Sequence, residues 1–230
     1  QKDFINSSIM IIKSVDFAGI QLDNYTVRET IMNVEKNMSD HGLHTIEEVN
    51  MDTLMLAVSD DTVRAALAFV EHTVIAENGI LEAVGAGSYQ RKHEIEHHDF
   101  FYEMMKRIER NHKTVFIIGD VSERTKQVGE YLQRDYSKCE IVGAEALEDC
   151  NGATDAMVNE INALNPDVIL SILPSPQQER FLMENHEKLS AGLWYGVASR
   201  NFEKQGKGIL GKIRHVIRTY KLERRLNHYH

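Results

Sequence analysis

The sequence has little that would cross-link or interrupt a folded chain. Only two cysteines and three prolines occur in 230 residues, and Cys139 and Cys150 lack the paired spacing of a zinc site or a redox motif. No run of about 18 apolar residues is present, so no transmembrane helix is predicted. No leader of charged, apolar and small residues marks secretion. A reducing cytosol is the simplest expectation for such a chain.

The hydrophobic content of 42% is enough for a sizeable core. Apolar runs alternate with amphipathic segments, which predicts an α/β protein with a doubly wound, mostly parallel Rossmann-like sheet. We expect one domain over residues 1–203, with two halves that meet near 111–113. The predicted strands are 9–17, 45–50, 74–76, 114–118, 139–143, 167–173 and 193–197. The predicted helical segments are 27–38, 60–70, 100–108, one from 122, 153–163 and 176–188.

The segment 165–184 is the most informative part of the chain. Residues 168–173 are almost wholly apolar between prolines, as in a strand that is covered on both faces. Gln178 and Glu179 follow at the start of a helix, whose N–H groups lack partners. Ligands of open α/β sheets bind at the carboxyl ends of strands, so these side chains are candidates for ligand contact. The alternative is helix stabilisation, typically below about 1 kcal/mol.

The charge is distributed unevenly. Residues 204–230 carry eight Lys and Arg against Glu223 alone, a net +7 that leaves −16 on the remainder of a chain whose total is −9. Apolar residues recur there at three- and four-residue steps, which predicts a basic amphipathic helix as a C-terminal appendage. Such helices lie on anionic membranes, or they dock on the protein core. The acidic body makes a nucleic acid partner a poor explanation.

Several motifs together resemble the WecG/TagA/CpsF family of bacterial glycosyltransferases. The family's Pro-Lys-Gln-Glu motif is similar to Pro-Gln-Gln-Glu at 176–179, and an apolar-x-x-Asn pattern follows at 181–185. The resemblance extends through 115–119, 139–143 and 165–167, and more weakly through 48–50 and 76–79. Order and spacing carry it, since no single motif is complete.

This resemblance implies an enzyme of surface-polysaccharide synthesis at the inner face of the cell membrane. Its substrates would be a UDP-N-acetylhexosamine donor and a polyprenyl-diphosphate-linked acceptor, without a metal or other cofactor. Asn50 aligns with the family's Thr-x-Asn element near the pyrophosphate, and Gln178 and Glu179 with its nucleotide-sugar contacts. The tail would attach to the membrane and complete the active site over the acceptor. The cations expected at the acceptor diphosphate are Arg214, Arg218, Arg224 and Arg225. A homo-oligomer or a partner transferase is also compatible with this interpretation.

The sequence departs from the family at residues that matter for catalysis. Asn78 stands where the family has its proposed general base, an aspartate, and an amide cannot accept that proton. Glu77 is the neighbouring substitute, although adjacent side chains of an extended segment point to opposite faces. Glu94 replaces an arginine, and Glu48 replaces the threonine and would repel a diphosphate. These changes leave a second hypothesis open, a binding or partner subunit without turnover.

Two further motifs can each be interpreted as a ligand site or as an ordinary structural feature. Gly119 ends a strand before a helix begun by Ser122, which is typical of an anion site, although tight strand-to-helix turns need glycine anyway. His93 and His97 have the i, i+4 spacing of metal ligands, but they also fit a solvated helix face, and we expect no metal. No Gly-x-Gly-x-x-Gly follows a predicted strand and no nucleophile elbow is present, so dinucleotide-dependent redox and acyl-transfer chemistry are disfavoured.

Overall fold

The computed structural model describes residues 13–38 and 40–198. The strands are β1 Ser14–Phe17, β2 Ile20–Asp23, β3 His44–Val49, β4 His72–Ile75, β5 Thr114–Gly119, β6 Glu140–Ala146, β7 Val168–Ser171 and β8 Leu193–Gly196. The α-helices are α1 Val27–Asn37, α2 Met51–Ala57, α3 Asp61–Phe69, α4 Asn78–Ala83, α5 Tyr89–Glu96, α6 Asp99–Arg110, α7 Ser122–Asp135, α8 Asp155–Leu164 and α9 Gln177–Asn185. A 3-10 turn covers Leu147–Cys150.

Six of these strands form one sheet, in the order β4-β3-β8-β7-β5-β6, and every pairing in it is parallel. The predicted Rossmann-like α/β class is therefore confirmed. Strand β8 lies between β3 and β7, so it joins strands from the two predicted halves. The predicted appendage, 204–230, lies outside the described residues.

Helices cover both faces of the sheet. On one face, α1, α6 and α7 pack their apolar residues against the strands, with Met105 and Leu132 fully buried. On the other face, α8 and α9 pack on β5, β7 and β8, where the rings of Phe181 and Trp194 stack. Neighbouring residues of one strand consequently face different helix layers, since side chains alternate along a strand.

The residues at the starts of the helices explain why α1 and α3 could be predicted from local sequence. Thr26 and Glu29 form a reciprocal capping box at α1. Asp60 caps α3 by accepting from the N–H groups of Thr62 and Val63, as predicted. Asn78-Gly79 is a dipeptide that predicts a turn, but this expectation was wrong, because Asn78 is the first residue of α4.

A β-hairpin near the N-terminus was also missed. Strands β1 and β2 pair antiparallel, whereas the sequence predicted one strand over 9–17. Ala18 and Gly19 form the tight turn, both with positive φ, and an alanine gives little signal for that conformation. The hairpin attaches to β4 through Asp23, whose N–H and carboxylate bond Thr73.

Candidate active site

The predicted site residues follow the carboxyl ends of neighbouring strands. Asn50 comes directly after β3, and Glu77 and Asn78 come two and three residues after β4. Gln178 and Glu179 lie in the first turn of α9, which follows β7. Parallel strands end at the same edge of a sheet. These residues therefore share one edge, although they are far apart in sequence.

A chain of hydrogen bonds connects Asn50 with the start of α9. Asn50 caps α2, its Oδ1 accepting from Thr53 N–H at 2.9 Å and lying 3.2 Å from Thr53 Oγ1. Thr53 Oγ1 lies 2.7 Å from Ser175 Oγ, and the Ser175 hydroxyl donates to the Glu179 carboxylate. The structure thus brings together Asn50 and Glu179, which were predicted separately.

Gln178 lies against the backbone of β8. A Cβ atom at Gly196 would come within 2.7 Å of Gln178 Nε2, so the glycine leaves room for this amide. Gln178 is 3% exposed and Glu179 is fully buried. Within the described residues, Gln178 Oε1 and Glu179 Oε2 have no hydrogen-bond partner. A buried acceptor without a hydrogen bond destabilises a folded protein. We therefore expect these two oxygens to accept hydrogen bonds from a ligand or from another protonated group.

Glu47 is a member of this cluster that we did not predict. It is fully buried in β3, opposite Gly196 of β8. Burial raises the pKa of the Glu47 carboxyl well above its ordinary value, and the Glu179 carboxylate raises it further. The available signal was the Glu47-Glu48 pair between Ile46 and Val49 in a predicted strand.

Glu48 points to the opposite face of the sheet. Its carboxylate accepts from the Tyr195 hydroxyl and from Ala198 N–H at 3.3 Å. Burial raises the pKa of Tyr195 well above its ordinary value, and Glu48 adds to that shift. The protein's own donors therefore bind the carboxylate that was expected to repel a diphosphate.

Glu77 and Asn78 contact different parts of the protein. Glu77 Oε2 accepts from Met51 N–H at 2.7 Å, at the N-terminus of α2. Asn78 Nδ2 donates to the Lys92 carbonyl at 2.9 Å, while its Oδ1 is buried without a partner in the described part of the chain. Asn78 therefore holds α4 against α5.

Arg91 supplies a buried cation that sequence reasoning missed. Its guanidinium contacts Glu94 at 2.6 Å and donates to Asn24 Oδ1 at 3.3 Å. The Glu94 carboxylate also accepts from Val27 N–H at 3.1 Å. With Glu48, these side chains line a cleft beyond the ends of β3 and β4. A positive charge is therefore present near the position where the resemblance placed an arginine, but Glu94 neutralises it.

At Gly119, close packing gives a structural reason for the glycine. A Cβ atom there would lie 1.9 Å from Thr125 Oγ1. At the adjacent start of α7, Ser122 N–H donates to Glu148 at 2.6 Å, so a carboxylate already binds a donor that a phosphate would use. The phosphate contact of Gly119 stays a prediction.

His93 of α5 and His97, which directly follows this helix, are stacked, with 4.1 Å between their ring centroids. Their further contacts are local: His97 Nδ1 lies 2.9 Å from the His93 carbonyl oxygen, and the His93 ring lies 6.2 Å from that of Tyr89. Across residues 13–38 and 40–198, no group of three or more His, Cys, Asp or Glu side chains is placed to hold a metal ion.

Comparison with known protein families identifies the family that has this sequence pattern. The model described as the Glycosyl transferase WecG/TagA/CpsF family matches residues 15–200, which include the hairpin and every strand of the sheet. The chain belongs to this glycosyltransferase family. The match also covers the polar cluster of Glu47, Asn50, Gln178 and Glu179.

Relatives of this WecG/TagA/CpsF member occur in Staphylococcus aureus. Proteins from strain NCTC 8325 / PS 47 and strain MRSA252 are each 22% identical to it over 186 residues, which is 80% of this chain and 72% of theirs. Both bear the name N-acetylglucosaminyldiphosphoundecaprenol N-acetyl-beta-D-mannosaminyltransferase.

None of the helices in the described ranges is long and apolar enough to cross a membrane. The predicted acceptor cations, Arg214, Arg218, Arg224 and Arg225, lie outside those ranges. Their contact with a diphosphate or a membrane stays a prediction.

Proposed function

We propose that the protein transfers an N-acetylhexosamine from a UDP-sugar to a polyprenyl-diphosphate-linked acceptor in surface-polysaccharide synthesis. The relatives' name makes N-acetylmannosamine the first sugar to test and an N-acetylglucosaminyl lipid diphosphate the first acceptor. The observation that carries the proposal is the polar chain from Asn50 through Thr53 and Ser175 to Glu179. It crosses the carboxyl edge of the sheet, where α/β proteins bind nucleotides.

In this proposal the cluster binds the donor. Gln178 Oε1 accepts an N–H or O–H of the nucleotide-sugar, because it is buried and lacks a donor among the described residues. Asn50, Gly119 and Glu179 lie beside the same ligand. An acceptor hydroxyl attacks the anomeric carbon, the bond from that carbon to the diphosphate oxygen breaks, and UDP leaves. Glu77 is the carboxylate nearest in sequence to Asn78 and is the candidate to receive the hydroxyl proton.

The tail would serve the second substrate. Arg214, Arg218, Arg224 and Arg225 would offset the charge of the diphosphate, a role for which metal-independent transferases need cations. The same basic segment would hold the protein at the inner, anionic face of the membrane, where each nearby cation is worth about 1 kcal/mol.

A second candidate function is binding without turnover, in a partner subunit of an active transferase. Two observations favour it. Asn78 replaces the expected base and donates its amide to the Lys92 carbonyl, and Glu94 neutralises Arg91. In that case the cluster at Gln178 would still bind a nucleotide-sugar.

One experiment separates the two functions. Calorimetry with UDP and UDP-N-acetylmannosamine is paired with a turnover assay on a synthetic polyprenyl-diphosphate acceptor. We expect binding that Gln178→Ala weakens at least about tenfold and that Gln127→Ala, an exposed control on α7, leaves unchanged. Binding with turnover supports the enzyme, binding without turnover supports the partner subunit, and absence of binding refutes both.

A further inference from the structure

The fully buried Glu47 is a titratable group that the proposed reaction does not use. It lies in the middle of the sheet, and both its oxygens are buried without a hydrogen-bond partner in the described structure. Glu179 is also fully buried, and its Oε2 lacks a partner as well. An ionised carboxylate can only accept hydrogen bonds. Two ionised groups here would place acceptors together, and the Gln178 side chain, which lowers the pKa of Glu47, offsets only part of the effect of burial and of Glu179.

The surroundings of Glu47 contain no compensating cation. On the adjacent strands it lies opposite Thr73 of β4 and Gly196 of β8, neither of which titrates. From α9, Glu179 is the charged side chain that acts on it. Glu48 points to the other face, towards the Tyr195 hydroxyl. An isolated buried carboxylate pair of this kind holds a proton rather than two charges.

We propose that Glu47 is a positioning residue that carries a proton at neutral pH and donates it in a hydrogen bond to Glu179, thereby fixing the first turn of α9. The proton converts two facing acceptors into a donor and an acceptor. Glu179 then uses its other oxygen to accept from Ser175, which contacts Thr53. The hydrogen-bond chain that reaches Asn50 therefore begins at Glu47. The consequence for ligand binding, namely that Gln178 is held over Gly196, rests on the proposed function.

The pH dependence of stability follows from this arrangement. A glutamate in the unfolded chain loses its proton near the ordinary value of 4.5, whereas the pKa of Glu47 in the folded protein is raised well above it. Between these two pKa values the folded state binds one more proton than the unfolded state. The folding equilibrium constant then falls about tenfold for each pH unit of increase. Glutamine at 47 keeps a donor for Glu179 and removes the titration.

The test measures urea unfolding of the full chain between about pH 5 and pH 8. We expect Glu47→Gln to fold and to lack the additional tenfold change per pH unit that the unaltered protein shows. Glu187→Gln, at an exposed position after α9, should keep that change. Glu47→Ala leaves Glu179 without its donor and should be the least stable of the three variants. Equal pH dependence in the unaltered protein and in Glu47→Gln would overturn the proposal.

An infrared measurement shows directly whether Glu47 carries a proton, and it does not require Glu47→Ala to fold. The measurement is made at about pH 8, above the value of about 7 to which the neighbouring Glu160 and burial raise the pKa of Glu145. The C=O stretching band of a protonated carboxyl should be present there in the unaltered protein and lost in Glu47→Gln, with Glu187→Gln retaining it. A spectrum without this band in the unaltered protein would show that Glu47 is ionised and would refute the proposal.

Measurements of nucleotide-sugar affinity test whether Glu47 positions Gln178. The loss of affinity for UDP-N-acetylmannosamine should be at least about tenfold greater in Glu47→Ala than in Glu47→Gln, because the glutamine amide can still donate a hydrogen bond to Glu179 and the alanine cannot. Equal losses would contradict the positioning role. If the unaltered protein does not bind the nucleotide-sugar, the proposed function fails, while the infrared and unfolding results still decide the protonation of Glu47.

Discussion

Two regions of the carboxyl edge of the sheet differ in how their polar groups are bonded. At the start of α9, Gln178 Oε1 is buried without a partner among the described residues, and in the proposed function it accepts from the ligand. Beyond β4, Asn78 Oδ1 also lacks a partner in that part of the chain, but the Asn78 amide donates to the Lys92 carbonyl and Arg91 bonds Glu94. The region beyond β4 therefore uses its amide donor and its cation to hold the protein together.

The resemblance implied an aspartate at 78 and an arginine at 94, and the residues present at both positions make contacts within the protein. Glu94, for example, has a cation three residues earlier on the same helix, Arg91. The comparison predicts that mutations beyond β4 lower stability, while mutations near α9 lower ligand affinity.

The largest effect should come from Arg91→Ala. Removing one partner of a buried ion pair leaves the other charge uncompensated, which costs about 3–5 kcal/mol of unfolding free energy. Lys92→Ala, which breaks the exposed contact with Glu82, should cost less than about 1 kcal/mol. Urea unfolding measures both. Similar small losses in the two variants would contradict a structural role for Arg91.

A smaller loss is expected from Asn78→Asp. The carboxylate would face the Lys92 carbonyl without the donor that the amide supplies, at a cost of about 1–3 kcal/mol. We expect no gain in sugar transfer unless Glu94 is changed too, because Arg91 stays neutralised. Asn159→Asp on the exposed face of α8 is the matched control. Robust transfer by Asn78→Asp alone would show that the region has remained catalytic.

Gly196→Ala should affect ligand affinity more than stability. The added Cβ meets the end of the flexible Gln178 side chain, so the amide has to move at a cost of about 1 kcal/mol. Affinity for UDP-N-acetylmannosamine should fall at least about tenfold by calorimetry. Gly129→Ala, whose Cβ would make only an ordinary contact with Ile117 at 3.7 Å, should change neither quantity adversely. Unchanged affinity in Gly196→Ala would exclude Gln178 from the donor site.

The smallest effect should follow chelation of metals. The proposed mechanism relies on arginine cations to offset the diphosphate charge. Nucleotide-sugar binding and any transfer should therefore be unchanged by EDTA. A loss that returns on addition of Mg²⁺ or Mn²⁺ would contradict that mechanism.

The elements predicted from sequence are those with strong local signals. Asp60 revealed the start of α3, and the apolar run at 168–173 revealed β7. The hairpin, α2, α4 and α5 were missed. In α5, few apolar residues are present to mark a helix face. The partners of Glu47 and Asn78 were missed for another reason. These contacts depend on which strands and helices are neighbours in the fold, and no local sequence pattern indicates that β8 lies between β3 and β7.

The central position of β8 has a consequence for folding. Until residues 193–196 pair, β4-β3 and β7-β5-β6 are separate sheets, each with an open edge. Closing the gap joins residues about 150 apart in sequence, such as His44 and Leu193, and such distant pairings slow folding. In a sheet that still lacks β8, Glu47 and Glu48 would place carboxylates along the exposed edge of β3, and charges on an edge strand discourage pairing with another chain. The acids that are buried in the folded sheet would therefore also disfavour aggregation of a chain in which β8 has not yet paired.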